Sequence, residues 1–239
     1  MDSIDLLSLT NIHPSWNEFY SPTIVTRLNE IANKIASNHT PCTSKILRFS
    51  SVDINKVKDV IVGQDPYPQP NIATGRAFEV NNLTSWLHPF PQASLKNIVR
   101  NLYRTYYGDL RTFSQIRGEI EAERFRILPP PRLFDHWEHE GVLLLNTYYS
   151  CEIGKPQSHR HIWGNFGEDV IKYIRTKNPQ AIWFLWGNAA QSYASNLDES
   201  KTICTCHPSS RVNVIDYINN ECFDITRRKL GIHWLNVDE

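Results

Sequence analysis

Asp59-Val60-Ile61-Val62-Gly63-Gln64-Asp65-Pro66-Tyr67 is a short apolar run that stops at a glycine and passes straight into a polar loop. The run Asp59 to Val62 reads as a buried strand, and Pro66, Pro68, Pro70 and Gly75 mark the loop that follows. Working outward, three more runs behave alike. Val142 to Leu145 ends at Asn146, Ala181 to Trp186 ends at Gly187-Asn188, and Thr202 to Cys206 ends at His207-Pro208. Helical spacing fills the intervals. Pro22 to Ser37 carries Val25, Leu28, Ile31, Ala32 and Ile35 on one face, and a helix starting at Ser94 carries Leu95, Ile98, Val99 and Leu102. Further helices are expected over Phe166 to Thr176, Ala189 to Ser195 and Asp224 to Leu230. Strands alternating with helices predict an α/β protein, a three-layer α/β/α sandwich around a central four-stranded parallel sheet.

Composition agrees with one such unit. The 239 residues are 41% hydrophobic, enough to build a core and to exclude wholesale disorder. We read residues 1–239 as a single domain, with the charged and aromatic stretch 103–131, closed by Pro129-Pro130-Pro131, as an insertion. Lys+Arg and Asp+Glu both number 25, which excludes a generally basic, histone-like protein; a nucleic-acid binder of this charge must concentrate its positive groups locally. The five cysteines (Cys42, Cys151, Cys204, Cys206 and Cys222) are too scattered for a metal site and read as free thiols. Met1 to Thr10 lacks a signal-peptide pattern and no apolar run has membrane-spanning length. The expectation is an intracellular protein, cytoplasmic or nuclear, not secreted, with no membrane contact, no metal and no cofactor.

In a parallel sheet the carboxyl ends of the strands lie along one edge, where ligands bind. Asp65, Asn146 and His207, distant in sequence, should therefore converge. Singly, each has an ordinary structural reading: an Asp-Pro turn, a capping amide, a loop histidine. Together they form an acid, an amide and an imidazole, a set able to orient a nucleophile, read a polar ring edge and stabilise a leaving group.

These residues sit in recognisable motifs. Gly63-Gln64-Asp65-Pro66-Tyr67 resembles the GQDPY motif of family 1 uracil-DNA glycosylases, and His207-Pro208-Ser209 resembles that family's HPS motif. Gly141 to Asn146 resembles its GVLLLN strand, Leu185-Trp186-Gly187 its LWG strand end, and Ser158-His159 with Trp163 its S-H-x-x-x-W segment. The resemblance covers roughly Val60 to Leu230 and keeps the order of all five blocks. It implies a uracil-specific, monofunctional DNA glycosylase that flips uracil out of DNA and hydrolyses its N-glycosidic bond, leaving an abasic site for base excision repair. By the same resemblance, Asp65 orients water and stabilises positive charge on the sugar. Tyr67 stands against carbon 5 of the base, Phe78 stacks on it, Asn146 reads its edge, His207 donates to O2, and Gln64 lines the pocket through its backbone.

DNA contacts are expected from Ser94, Gly187, Asn188, Ser209 and Arg211. Small hydroxyls and loop amides can grip phosphate without much net charge. Arg76, Lys96, Arg160 and His161 are candidates for a local positive rim, each with an ordinary solvated side chain as its alternative. Two departures from the family stand out. Pro68 replaces a usual His, as in poxvirus glycosylases, and Arg211 occupies the position of the Leu that wedges into the duplex. The second suggests a shift toward single-stranded substrate. The partner expected is single- or double-stranded DNA containing uracil, met by a monomer, with a protein inhibitor or a replication partner left open. The competing reading is a catalytically weak or inactive DNA-binding or replication scaffold built on a glycosylase fold.

Overall fold

Four short, mostly apolar runs, rich in β-branched residues in β2 (Asp59–Gly63) and β6 (Thr202–Thr205), leucine in β3 (Val142–Asn146) and aromatics in β5 (Ile182–Trp186), become the core strands. The protein is described by a computed structural model over residues 5–35 and 37–235. Residues 1–4 and 236–239 of the expected domain, and Ala36 within the expected first helix, lie outside the described residues. In chain order the elements are α1 (Pro22–Lys34), β1 (His39–Thr40), β2 (Asp59–Gly63), α2 (Ala93–Tyr107), α3 (Phe113–Glu121) and α4 (Pro130–His139). There follow β3 (Val142–Asn146), β4 (Cys151–Glu152), α5 (Arg160–Trp163), α6 (Phe166–Lys177), β5 (Ile182–Trp186), α7 (Asn188–Gln191), β6 (Thr202–Thr205), α8 (Val214–Ile218) and α9 (Cys222–Leu230).

The central sheet has the order β3-β2-β5-β6 and all three pairings are parallel. β2, β3 and β5 are buried along their whole length, as expected where helices cover both faces; β6, at one edge, is partly exposed. The two-residue side-chain period sorts each strand between two cores. Ile61, Leu144 and Phe184 pack with Leu95, Val99 and Trp137 on one face. Val60, Val62, Leu143 and Leu185 pack with Leu28, Ile31 and Val170 on the other. This is the three-layer sandwich anticipated from the pattern. Among the described residues, no helix is long and apolar enough to cross a membrane.

Several expected bounds move. The helix expected over Ala189 to Ser195 shrinks to the single turn of α7, while α8 and the small antiparallel pair β1–β4 were not anticipated. Two-residue strands and one-turn helices carry too little periodicity to read. The 103–131 stretch is woven into the packing. α2 continues to Tyr107 and ends at left-handed Gly108, and Thr112 and Gln115 form a reciprocal cap that starts α3. Tyr103, Ile116 and Phe125 are buried in the same core as Ile61.

At the amino end of β2, Asp59 is fully buried and has no ion-pair partner among the described residues. Burial pushes its carboxyl well above the usual range, with the Val60 amide pulling less strongly the other way. The native state therefore keeps a proton that the unfolded chain has lost, and stability declines as pH rises above about 4, by at most ~1.4 kcal/mol per pH unit for this one group. Urea unfolding at a series of pH values should show that decline in the wild type and a flatter profile in Asp59→Asn. Equal slopes would mean that Asp59 is not the group responsible.

Candidate active site

The register of β2 on β3 sets Gly63 directly beside Asn146. A Cβ on Gly63 would lie 2.5 Å from Asn146 Oδ1 and 2.9 Å from Ala77 Cβ, so only glycine lets the amide reach the sheet edge. The Gln64 carbonyl then accepts the Tyr148 N–H at 2.9 Å and the Thr147 hydroxyl at 2.9 Å. These bonds tie the loop after β2 to the loop after β3. On the other side, Gly187 has φ +87° and its missing Cβ makes room for His207, which would otherwise be 2.8 Å away. Both close approaches concern backbone the strands have already placed.

A cavity of about 320 Å³ opens at this edge. Gln64, Asp65, Tyr67, Phe78, Ser94, Asn146, His207 and Ser209 all line it. A neighbouring cavity of about 570 Å³ shares Gln64, His207 and Ser209 as its wall and is bounded by Gly187 and Asn188. Arg211 lines neither. It is exposed on the loop after His207, beside Val212, which is 89% exposed. Ten of the eleven expected site residues thus meet at two adjoining cavities.

Asp65 is half-buried, and its Oδ2 accepts the backbone N–H of Gln157 at 2.7 Å. Burial raises the carboxyl above its ordinary value, and the Gln157 amide offsets part of that. Gln157 takes φ +62°, a left-handed conformation that costs a non-glycine residue on the order of 1–2 kcal/mol. The loop carrying it is held from below: the Ser150 hydroxyl accepts from Trp163 Nε1 at 2.9 Å and bonds His159 Nδ1 at 2.9 Å, and the Ser158 hydroxyl accepts the Glu152 N–H at 2.7 Å. Residue-by-residue reading missed Gln157, because a backbone donor leaves no trace in side-chain identity. The nearest signal was the adjoining Ser158-His159 block.

His207 Nδ1 accepts the Ser209 N–H at 3.1 Å and lies 2.8 Å from the Ser209 hydroxyl. An acceptor at Nδ1 places the proton of the neutral ring on Nε2. Burial lowers the pKa of this histidine, so the neutral ring is favoured further. Asn97 Nδ2 donates to the Pro208 carbonyl at 2.6 Å and fixes the loop against α2. Asn146 is 5% exposed and spends no side-chain hydrogen bond on the protein among the described residues. Because Asn146 lines the cavity, both functions of its amide stay available there to water or a ligand.

The aromatic walls are equally constrained. Phe78 has φ +65° and its ring lies 5.5 Å from Trp186 and 6.0 Å from His207. The Tyr67 hydroxyl, 2.9 Å from Ser94 Oγ and 3.4 Å from the Phe78 carbonyl, cannot swing away; burial pushes its pKa up to about 12. Ser94, expected to contact phosphate, lines the cavity and is largely buried, with its hydroxyl 2.9 Å from that of Tyr67. Arg76 is corrected. It is 7% exposed and neutralised by Glu79, Asp135 and Glu138, so it does not belong to a positive rim. Lys96 lies 5.3 Å from the Phe90 ring centroid, while Arg160, His161 and Arg211 remain exposed. Among the described residues, no three metal-ligating side chains come together.

A carboxylate, a fixed N–H donor and an unspent amide around a cavity that Tyr67 and Phe78 help to wall suit a planar heterocycle with a donor–acceptor edge. They favour positive charge near Asp65 and negative charge near His207. The chain is similar in structure to UNG from Nitratifractor salsuginis (23% identity, TM-score 0.70, covering 96% of this chain and 95% of that one). It is also similar to mimivirus uracil-DNA glycosylase (23% identity, TM-score 0.65, 87% and 72%) and to a variant of that mimivirus protein in complex with UGI (23%, 0.65, 87% and 73%). At these identities the likeness establishes the fold. Residues 49–231, most of the chain, match the profile of a family in their own right, and on that match this protein belongs to the uracil DNA glycosylase superfamily.

Proposed function

We propose that this protein is a monofunctional uracil-DNA glycosylase of the family 1 type, which hydrolyses the N-glycosidic bond of a flipped-out deoxyuridine and leaves an abasic site in base excision repair. The observation that carries the reading is the single cavity joining Asp65, the unspent amide of Asn146 and the Nε2–H of His207. The reacting bond is inaccessible inside a duplex, so the nucleotide must leave the stack. Uracil then lies against Phe78, and the Asn146 amide offers a donor and an acceptor to its O4 and N3–H. Cytosine presents the reverse pattern and leaves that amide unsatisfied. Tyr67, anchored through its hydroxyl, blocks the methyl group of thymine.

As the C1′–N1 bond breaks, its electron pair leaves with uracil and the sugar becomes an oxocarbenium ion. His207 donates Nε2–H to O2 of the departing anion, and Asp65 faces the sugar cation. Water adds at C1′ with its excess proton passing to Asp65 or solvent. We place phosphate contacts on the Gly187-Asn188 turn, Ser209 and the first-turn amides of α2 near Ser94, with Arg211 filling the vacated stack. The enzyme is proposed to act as an intracellular monomer, cytoplasmic or nuclear, without cofactor. Because a mimivirus relative is solved with UGI, a protein inhibitor is among the proposed partners, together with a replication partner.

Uracil release from a single-stranded oligonucleotide with one uracil, beside a matched duplex, tests the reading. Asp65→Asn should lose about 10²–10⁴-fold in turnover while still binding DNA. In the wild type, kcat/KM should fall on the acid side as Asp65 gains a proton, at a pH above the ordinary carboxylate value of 3.8 because burial raises it. DNA binding without release by the wild type would overturn the enzyme reading. Arg211→Leu should raise the duplex-to-single-strand rate ratio roughly tenfold, in line with ~1.5 kcal/mol of added apolar burial in the stack. An unchanged ratio would count against Arg211 as the gap-filling residue.

A further inference from the structure

We propose that Arg76 is a positioning residue for Phe78, acting through a buried charge network that closes around the Phe78 backbone; the inference rests on the uracil-release reading above. The Arg76 guanidinium meets three carboxylates at once: Nε donates to Glu138 Oε2 at 2.7 Å, and Nη1 donates to Asp135 Oδ1 at 2.8 Å and to Glu79 Oε1 at 3.2 Å. Arg76 lies two residues before Phe78 and Glu79 one residue after it. Their ion pair therefore joins the chain across the one residue in the segment that must hold a left-handed aromatic. The second Glu79 oxygen accepts the Thr74 hydroxyl at 2.5 Å and Arg48 Nη1 at 3.5 Å, and the Thr74 hydroxyl also accepts the Arg76 N–H at 3.2 Å.

Backbone bonding alone gives this segment little support. Residues 72–82 belong to no helix or strand. Among the described residues, their backbone–backbone bonds to the rest of the fold reduce to Ala77 N–H on the Leu144 carbonyl at 3.3 Å, with Asn81 N–H on the Ile72 carbonyl closing the loop on itself; from side chains, Tyr67 Oη donates to the Phe78 carbonyl at 3.4 Å and Arg48 Nη1 to the Thr74 carbonyl at 3.1 Å. The far end of the network is firm. Asp135 and Glu138 stand on α4, whose Leu133, Phe134 and Trp137 are buried in the core. A planar guanidinium fork addresses several carboxylates in set directions, which an ammonium cannot do. If Arg76 served stability alone, Arg76→Met would destabilise the fold by leaving the buried Glu79 carboxylate without its nearest cation. Its effect on chemistry would then be independent of the Phe78 ring.

The test is a double-mutant cycle on kcat/KM for uracil release from a single-stranded oligonucleotide, using wild type, Arg76→Met, Phe78→Ala and the double variant. Arg76→Met should lose about ten- to a hundredfold, the scale expected of a displaced binding wall. In the Phe78→Ala background the same change should cost no more than about twofold, because the ring it positions is gone. Losses that multiply in the double variant would overturn the proposal. Glu138→Gln, which keeps the side-chain volume and leaves the cavity lining untouched, covers the case in which Arg76→Met does not fold. It should show a smaller loss that also vanishes without the Phe78 ring, and a loss that persists there would overturn the proposal. A wild type that releases no uracil would instead remove the functional reading on which the proposal rests.

Discussion

The parallel register that sets Gly63 level with Asn146 is the constraint on which the rest of the site depends. Everything reactive leaves the sheet within two residues of that level. Asp65 follows β2 by two residues, Asn146 ends β3, Gly187 follows β5, and His207 follows β6 by two. Because a one-residue slip in a strand turns every side chain to the opposite face, the register is enforced by both cores at once. Val62 must enter one apolar layer while Ile61 enters the other. The hydrophobic pattern that stabilises the sheet is thus the same pattern that aligns the chemistry, and no separate device is required to bring three distant loops together.

Beyond the sheet edge, precision comes from backbone held in unfavourable conformations. Gln157 and Phe78 are both left-handed without being glycine, and each sits where a group must face the cavity at a set angle. One aims an amide at Asp65, the other aims a ring. Such strain persists only where neighbouring contacts over-determine it. Around Gln157 the contacts are the Ser150, His159 and Trp163 hydrogen bonds; around Phe78 they are the carboxylates gathered on Arg76. The two networks lie outside the reacting groups, yet they set the position of a proposed catalytic carboxylate and of a proposed stacking wall.

What was legible in the sequence follows from where the information resides. Strands such as Val142 to Leu145 announce themselves because each position repeats the same apolar demand, and Asp65, Asn146 and His207 could be placed because they end those strands. Arg76 was misread because charge alone says nothing of burial. Its neutralising partners Asp135 and Glu138 are 59 and 62 residues away on α4, a separation no local pattern spans. The contact between Ser94 and Tyr67, 2.9 Å between hydroxyls 27 residues apart, was out of reach of a local pattern for the same reason. The 103–131 stretch reads as an insertion because it is charged and aromatic, and its packing against the core through residues such as Tyr103, Ile116 and Phe125 rests on contacts that a local pattern does not show.

Burial acts on Asp65 and His207 in opposite directions, and that opposition suits the proposed chemistry. It raises Asp65 and lowers His207, so each neutral form gains. For His207 the neutral form is the useful one, since a fixed Nε2–H can donate to an anion without first bringing a full charge into the cavity. For Asp65 burial works against the form the reaction needs, and one backbone amide only partly compensates. A carboxylate left under-solvated in the resting enzyme gains most from a cation that appears beside it, because the desolvation cost is already present before the bond begins to break. In the proposed reaction, the charge that develops on the sugar would then be met by a group with few competing partners. An additional donor to Asp65 would stabilise the resting carboxylate and weaken that differential.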